Sequence, residues 1–347
     1  MLTRDKLRTH RGAIYSITLL VPVIIIAAYM LVSSNGRLKI YKKSKIAMDT
    51  IITLTVASDS QQRAEEAIEA AFNEIERLER LLSMFLPQSE VSLINKNSGI
   101  ASVKVSEDTY RLIKKAVEIA ALSEGAFDPT IGQLSTLWDF PKKVKPKNEE
   151  IKKRLPLVNY RNIVFDDNQR SVMLKINGMI IDLGAIAKGY TADRVVEVLK
   201  ARGISSGIAA IAGDIKTFGT KPDASGWLIG IKRSRGDQDG LSGILTLSGE
   251  AVSTSGDYER FFIEDGVRYH HLLDPSTGYP AGDFQSVTVV NPDGLITDAM
   301  STAIFVMGRE NGMNLVRRLN LKVYVIYKDA TTYITDNLRD SFAQQHN

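Results

Sequence analysis

Apolar positions between residues 62 and 82 recur three or four apart, at Ala64, Ala67, Ile68, Ala71, Phe72, Ile75, Leu78 and Leu82. That spacing predicts an amphipathic helix from about residue 62 to 82 with one face on a core. Just before it, residues 51–56 alternate apolar and polar and read as a strand. A second helix is expected from about Ser106, a serine placed to cap it, to Ser123, with Gly125 near its stop. Residues 171–183 read as a hairpin turned at Asn177-Gly178, since Asn-Gly accepts the positive φ angles of a two-residue turn. A third helix spans about residues 187–201 and stops at Gly203. Strands and turns then alternate up to Tyr269, and a last helix runs from near Asp298 to Val306, ending at Gly308. Residues 141–156 form a charged, proline-bounded segment expected to be solvated. Helices and hairpins mix without strict alternation and without an internal repeat. The expected fold class is therefore α+β, with mixed or antiparallel sheets and packed helices.

One stretch breaks this pattern. Residues 14–32 (IYSITLLVPVIIIAAYMLV) carry no charge and no polar face, and no charge occurs between Arg11 and Arg37. The length is close to the roughly 20 residues that cross a bilayer. A transmembrane signal anchor is expected; a cleaved signal peptide is the other reading, although no A-x-A site follows. With no cysteine in the chain, a lipidated N-terminal Cys is excluded. The organisation is then a basic tail (1–12), an anchor (13–34), a basic linker (35–45) and a body (46–340). Net charge is +4, but nine Lys/Arg face only Asp5 within residues 1–45, so the rest of the chain is net negative. A basic flank beside an apolar span suits a membrane surface rather than nucleic acid.

Candidate chemistry gathers in three places. In Asp182-Leu183-Gly184-Ala185-Ile186-Ala187-Lys188-Gly189-Tyr190, glycines flank the turn that opens a helix. Small residues admit a ligand close to the backbone, and a helix N-terminus offers N–H groups to an anion. An ordinary strand–turn–helix junction would look the same. Lys188 stands in the first turn, against the helix dipole, which hints at a negative ligand. Asp298 and Thr302 share a helix face four residues apart and supply the oxygens a hard cation such as Mg²⁺ prefers. They also fit a helix cap and a small packing residue. Of four histidines, only His270 and His271 lie in the body, before the turn-rich Leu272-Leu273-Asp274-Pro275. Either one is a candidate general base or a structural side chain. Another small-residue loop is Thr254-Ser255-Gly256-Asp257-Tyr258. No Walker loop or G-x-G-x-x-G pattern occurs.

Taken in order, eight short blocks resemble the ApbE family, the FAD:protein FMN transferases. They are Met48-Asp49-Thr50, Leu82-Ser83-Met84-Phe85, Gly125-Ala126-Phe127-Asp128-Pro129-Thr130, Leu137-Trp138-Asp139-Phe140, the 182–190 run, the 254–258 loop, residues 271–280 and residues 297–302. The resemblance implies an ApbE-type, T-fold-like body. It also implies that FAD is bound with Mg²⁺ and its FMN half moved to a Ser or Thr hydroxyl of an acceptor protein, releasing AMP. By the same resemblance the metal positions fall on Ala185 (through its carbonyl), Asp298 and Thr302, with a further acidic position on Ser301. FAD-contacting positions fall on Met48, Phe85, Ala126, Phe127, Asp128, Asp182, Lys188 and Leu273, and the general base falls on His271. The acceptors implied are flavin-bearing subunits of membrane redox complexes or extracytoplasmic reductases. That would place a single-pass enzyme in the cytoplasmic membrane with its body on the extracytoplasmic (periplasmic) side. Four positions depart from the family pattern: Asp49, Asp139 and Ala212 stand for Gly, and Phe85 for Tyr. An FAD pyrophosphatase with the same Mg²⁺ site and a non-catalytic flavin-binding protein are the alternatives.

Overall fold

The computed structural model describes residues 38–235 and 240–344. The anchor expected within residues 14–32 lies outside them; among the described residues no helix is long and apolar enough to cross a membrane.

The chain enters through a hairpin. Strand β1 (Lys39–Ala47) pairs antiparallel with β2 (Thr50–Ser58) along its full length. The two connecting residues, Met48 and Asp49, have φ of 51° and 56°. Two successive left-handed residues make a type I′ turn, and Asp tolerates that conformation better than most residues with a side chain. Asp49 therefore keeps the turn that the expected glycine would make. The basic residues at 39–45, expected as linker, are instead an outer strand. Its lysines face water or reach the neighbouring helix, with Lys43 and Lys45 on Glu69 at 2.9 and 2.7 Å.

That helix is α1 (Gln61–Leu82), whose buried residues are the eight apolar positions of the sequence pattern. The chain continues through α2 (Glu90–Lys96), β3 (Val103–Lys104), α3 (Glu107–Leu122), α4 (Gly132–Ser135) and α5 (Asn148–Arg154). Strands β4 (Ile163–Asp166) and β5 (Ser171–Leu174) follow, then α6 (Ala187–Ala201), β6 (Ser206–Ile211) and β7 (Asp214–Phe218). After β8 (Trp227–Lys232), β9 (Leu241–Leu247) and β10 (Ala251–Gly256) comes a separate hairpin of β11 (Phe261–Glu264) and β12 (Val267–His270). The remainder is β13 (Phe284–Asn291), α7 (Gly294–Arg318), β14 (Lys322–Tyr327), β15 (Thr332–Ile334), α8 (Asp336–Arg339) and β16 (Phe342–Gln344).

An antiparallel sheet of eight strands, in the order β1-β2-β6-β7-β10-β13-β14-β15, is the centre of the fold. Helices α1, α6 and α7 cover one face: Ile52, Leu54 and Val56 meet Phe72 and Ile75 of α1 and Val195 and Leu199 of α6. The small sheet β16-β9-β8 covers the other face, with Ile229, Ile231 and Leu245 against Val252, Val290 and Tyr324. Burying both faces of the long sheet this way defines a three-layer α+β domain.

Three sequence expectations change. The turn at Asn177-Gly178 forms (Gly178 φ is 88°), but no second strand returns along β5. Asn95 takes both backbone groups of Ile181, at 2.9 and 2.7 Å, and the Asp182 N–H donates to the Pro129 carbonyl at 2.8 Å. The segment therefore follows residues 129–131 instead. The last helix starts at Gly294, capped by the Asp293 carboxylate on the Ile296 N–H, and it kinks at Gly308 (φ 77°) before continuing to Arg318. Asp298 is thus one turn inside and is not its cap. The charged 141–156 segment is also not simply solvated. Its helix α5 buries Ile151 beside Leu134, Trp138, Phe262 and Leu273.

Helices α6 and α7 cross where Gly189 faces Gly294. A Cβ on Gly189 would lie 2.0 Å from the Gly294 carbonyl oxygen and 2.7 Å from the Asp298 Cβ. Gly189→Ala must push the helices apart, and urea unfolding should register a loss of about 3 kcal/mol, the upper range for overpacking. A loss below about 1 kcal/mol would mean that the crossing is soft.

Candidate active site

The 182–188 turn is built by its own side chains. Asp182 accepts from the Gly184 N–H at 2.9 Å through Oδ1 and from the Ser135 hydroxyl at 3.0 Å through Oδ2. Asp on N–H two residues on is a local turn-former, which explains why the chain reverses here into α6. Lys188, in the first turn of α6, donates from Nζ back to the Gly184 carbonyl at 2.9 Å. The same Nζ lies 3.2 Å from Asp214 Oδ2 and 3.8 Å from Asp298 Oδ2.

Asp298 reaches this turn from α7. It is 4 % exposed, and its Oδ2 accepts from the Gly189 N–H at 2.9 Å. The N-terminal amide expected to greet a ligand at Gly189 is thus occupied by a protein carboxylate. Burial, and then the neighbouring Asp214, pushes the Asp298 carboxyl up to about 7, against the pull of Lys188. For Lys188, burial opposes the charge, but Asp214 and Asp298 hold the ammonium above its ordinary range. Two carboxylates share one ammonium, so the cluster is short of positive charge.

Hydroxyls from β10 complete the cluster. Ser255 Oγ is 2.8 Å from Ser301 Oγ and 3.0 Å from Thr302 Oγ1, and Ser301 donates to the Asp298 carbonyl at 2.9 Å. Ser301 is fully buried and Thr302 half-buried. Ala185, half-buried, follows the Gly184 that Lys188 holds.

The two histidines separate by role. His270 is buried, its Nε2 2.9 Å from the Ala281 carbonyl and its Nδ1 accepting from the Leu272 N–H at 3.3 Å. Its ring also stands edge-on to Phe305, so it is structural. His271 is half-buried, and its Nδ1 is buried with no hydrogen-bond partner among the described residues. Burial, then the charges of Arg260, His270 and Lys188, pushes its pKa down to about 3. His271 is therefore neutral at physiological pH and can accept a proton, although so low a pKa makes it a weak base.

The other expected positions sit around this cluster. Asp128 is buried, accepting from the N–H and hydroxyl of Thr130 at 2.8 and 2.6 Å and from the Tyr160 N–H at 2.9 Å. Burial raises its pKa, and its oxygens organise the loop whose Pro129 carbonyl meets Asp182. Phe127 is buried, Ala126 half-buried, and Leu273 buried against Leu134 and Trp138. Met48 donates its N–H to Glu79 Oε1 at 3.0 Å, and Phe85, in the loop after α1, is 72 % exposed. Among the described residues, no hydrogen bond or ion pair joins Met48, Phe85 or Leu273 to the Asp298 cluster.

Asp214, Ser255 and Arg260 were not among the expected site residues. Asp214 was visible only beside a glycine departure, and Ser255 only as a small residue in a loop. Arg260 is exposed, its carbonyl accepts from the His271 N–H at 3.1 Å, and its charge is felt by both His271 and Lys188. The sequence carries no periodicity or spacing that would pair Asp214 with Lys188, Ser255 with Ser301 and Thr302, or Arg260 with His271.

The donors suit a hard cation. Asp298, the Thr302 hydroxyl and the Ala185 carbonyl are all oxygens, and among the described residues no group of three or more His, Cys, Asp or Glu competes as a metal site. Mg²⁺ characteristically takes few protein oxygens and fills the rest with water and phosphate, so the residues fit it.

An antiparallel α+β scaffold that gathers a carboxylate, hydroxyls, an ammonium and a neutral histidine is the equipment of an enzyme. Residues 48–326 match the ApbE family, and the chain belongs to that family. It is 36% identical over 283 residues to an FAD:protein FMN transferase of Klebsiella pneumoniae (strain 342), covering 81% of this chain and 86% of that protein. Identity to the FAD:protein FMN transferase of Treponema pallidum (strain Nichols) is 32% over 331 residues, covering 88% and 91%. In three dimensions the chain is similar to the crystal structure of the ApbE protein from Thermotoga maritima. That comparison gives a TM-score of 0.81 at 36% identity, covering 87% of this chain and 99% of the other. The apo form of the Pseudomonas stutzeri flavinyl transferase ApbE gives 0.78 at 28% identity, covering 89% and 98%. These likenesses agree with the mixed α+β, antiparallel architecture described above.

Proposed function

We propose that this chain is an FAD:protein FMN transferase that moves FMN from FAD to a Ser or Thr hydroxyl of an acceptor protein, with Mg²⁺ and with release of AMP. The observation that carries it is a neutral His271, its Nδ1 without a hydrogen-bond partner among the described residues, within the field of Lys188 from the Lys188–Asp298 cluster, and the names of its relatives support it. In this scheme the acceptor oxygen forms a bond to the flavin-side phosphorus while the phosphorus–oxygen bond to AMP breaks. His271 takes the hydroxyl proton, and its neutral state leaves it free to do so. Asp298, Thr302 and the Ala185 carbonyl would hold Mg²⁺, which when bound neutralises charge on the diphosphate and improves AMP as a leaving group. The exposed Phe85 ring offers a stacking surface for the flavin, and Met48 lies on the adjoining hairpin turn.

The apolar residues 14–32 and the basic residues around them favour a membrane anchor, and the family resemblance favours a body on the extracytoplasmic side. A flavin-bearing subunit of a membrane redox complex or an extracytoplasmic reductase would then be the acceptor.

The test is full-length protein in detergent micelles with FAD, Mg²⁺ and a candidate acceptor subunit. AMP release and in-gel flavin fluorescence are followed together. A fluorescent acceptor band with equimolar AMP is expected. AMP with free FMN and a dark acceptor would show hydrolysis instead, and FAD bound without any AMP would reduce the protein to a flavin carrier.

A further inference from the structure

Lys188 brings an ammonium within ion-pair reach of Asp298, where it competes with a divalent cation for the carboxylate. A carboxylate fully paired with a lysine ammonium has lost the charge that would attract Mg²⁺. Yet the pair is not closed: Lys188 Nζ is 3.8 Å from Asp298 Oδ2 and only 3.2 Å from Asp214 Oδ2. Asp214 is 6 % exposed and opens β7, directly opposite Ile211 across the Ala212-Gly213 turn. Ala212 holds a φ of 56° there, so the turn is made despite a side chain in the left-handed region. Asp214 is thereby fixed by the sheet, while Asp298 is fixed by α7 and by the Gly189 N–H. Between two rigid carboxylates the flexible ammonium settles nearer the first, with the Gly184 carbonyl as its third anchor at 2.9 Å.

We propose that Asp214 is a positioning residue for the cation site: it draws the Lys188 ammonium away from Asp298 and so keeps that carboxylate open to a divalent cation. The role rests on the proposed function only in taking Asp298 as the cation's ligand. Without Asp214, Lys188 has one carboxylate left and would close on it. The same competition requires that Asp214 matter only while the ammonium is present, which a merely structural Asp214 would not predict.

The experiment is nucleotide-free Mn²⁺ binding to the full-length protein, with free Mn²⁺ read from its electron paramagnetic resonance signal. Unfolding temperature is recorded for each variant. Asp214→Asn should weaken Mn²⁺ by about tenfold or more, the usual effect of losing a partner behind a metal ligand. Lys188→Met should bind Mn²⁺ more tightly than wild type, and the double variant should bind as tightly as Lys188→Met, because without the ammonium Asp214 has nothing to draw away. Where Asp214→Asn alone fails to fold, Lys188→Met is compared with the double variant, and a folded double variant at least about tenfold weaker than Lys188→Met overturns the proposal. Unchanged or weaker Mn²⁺ binding by Lys188→Met overturns the proposal, as does a folded Asp214→Asn with wild-type affinity, or a wild type that takes up no Mn²⁺. Flavin transfer that proceeds in full without a divalent cation would instead remove the metal from the proposed function.

Discussion

Replacing Asp298 with asparagine should abolish Mg²⁺-dependent flavin transfer while making the metal-free protein more stable above pH 7. The first effect follows from removing the one carboxylate among the candidate metal ligands, and a fall of at least a hundredfold in turnover is expected on the scale of lost charge stabilisation. The second follows from linkage. Burial and Asp214 raise the folded-state pKa of Asp298 to about 7, above its ordinary value of 3.8. A raised acid stabilises the fold fully only below the unfolded-state pKa, and that contribution fades as pH rises from about 4 through 7. Above that window the folded protein carries an ionised, fully enclosed carboxylate, which the amide avoids. The expected gain for Asp298→Asn at pH 8 is on the order of 2 kcal/mol, and it should vanish below about pH 4. Thermal melts at pH 4 and pH 8 without metal, together with turnover assays, decide the matter. A variant that is inactive and also less stable at pH 8 would make Asp298 a structural residue.

His271→Gln should leave FAD binding within a few-fold of wild type and reduce transfer about a thousandfold, the middle of the range for a lost general base. Its pH signature is the sharper check. Because burial and the cations around it hold the His271 pKa near 3, wild-type turnover should show no acidic limb near 6.5 from this ring. A histidine with an ordinary pKa would lose half its activity there by protonation. Removing Arg260, the second cause of the depression, should let the His271 pKa rise, while burial, the larger cause, keeps it below the ordinary range. Rate profiles of wild type and Arg260→Ala between pH 4 and 8, with FAD saturating, should show an acidic limb moved upward in the variant. Full transfer by His271→Gln would remove the proton-acceptor role outright.

The legible parts of this fold were those governed by local physics. The eight apolar positions of α1 are its buried face, and Ser106 caps α3, because both follow from helical spacing and short-range hydrogen bonding. The stop of α6 near Gly203, at φ 78°, is equally local. Where a distant side chain intervened, the pattern misled. Asn95 captures Ile181 from 86 residues away and cancels the second strand of the Asn-Gly hairpin. Ile151 converts a charged segment into a packed helix because Trp138 and Phe262 lie across from it. The site shows the same division. Asp298, Thr302 and Lys188 were visible as residue types at telling spacings. Asp214 and Ser255 act only through neighbours that the fold supplies, and no short-range pattern encodes such a meeting.

The outermost strand also sets where the molecule can be cut. The family-wide match begins at residue 48, inside the β1–β2 turn. Trimming to that point would strip all nine residues of β1 and leave the outer edge of β2, which keeps β6 on its other side, without a partner strand. A bare edge of that kind recruits other chains, whereas the lysine-bearing β1 discourages them. The smallest soluble fragment should therefore keep β1 whole, from Lys39 onward, nine residues before the family-wide match starts.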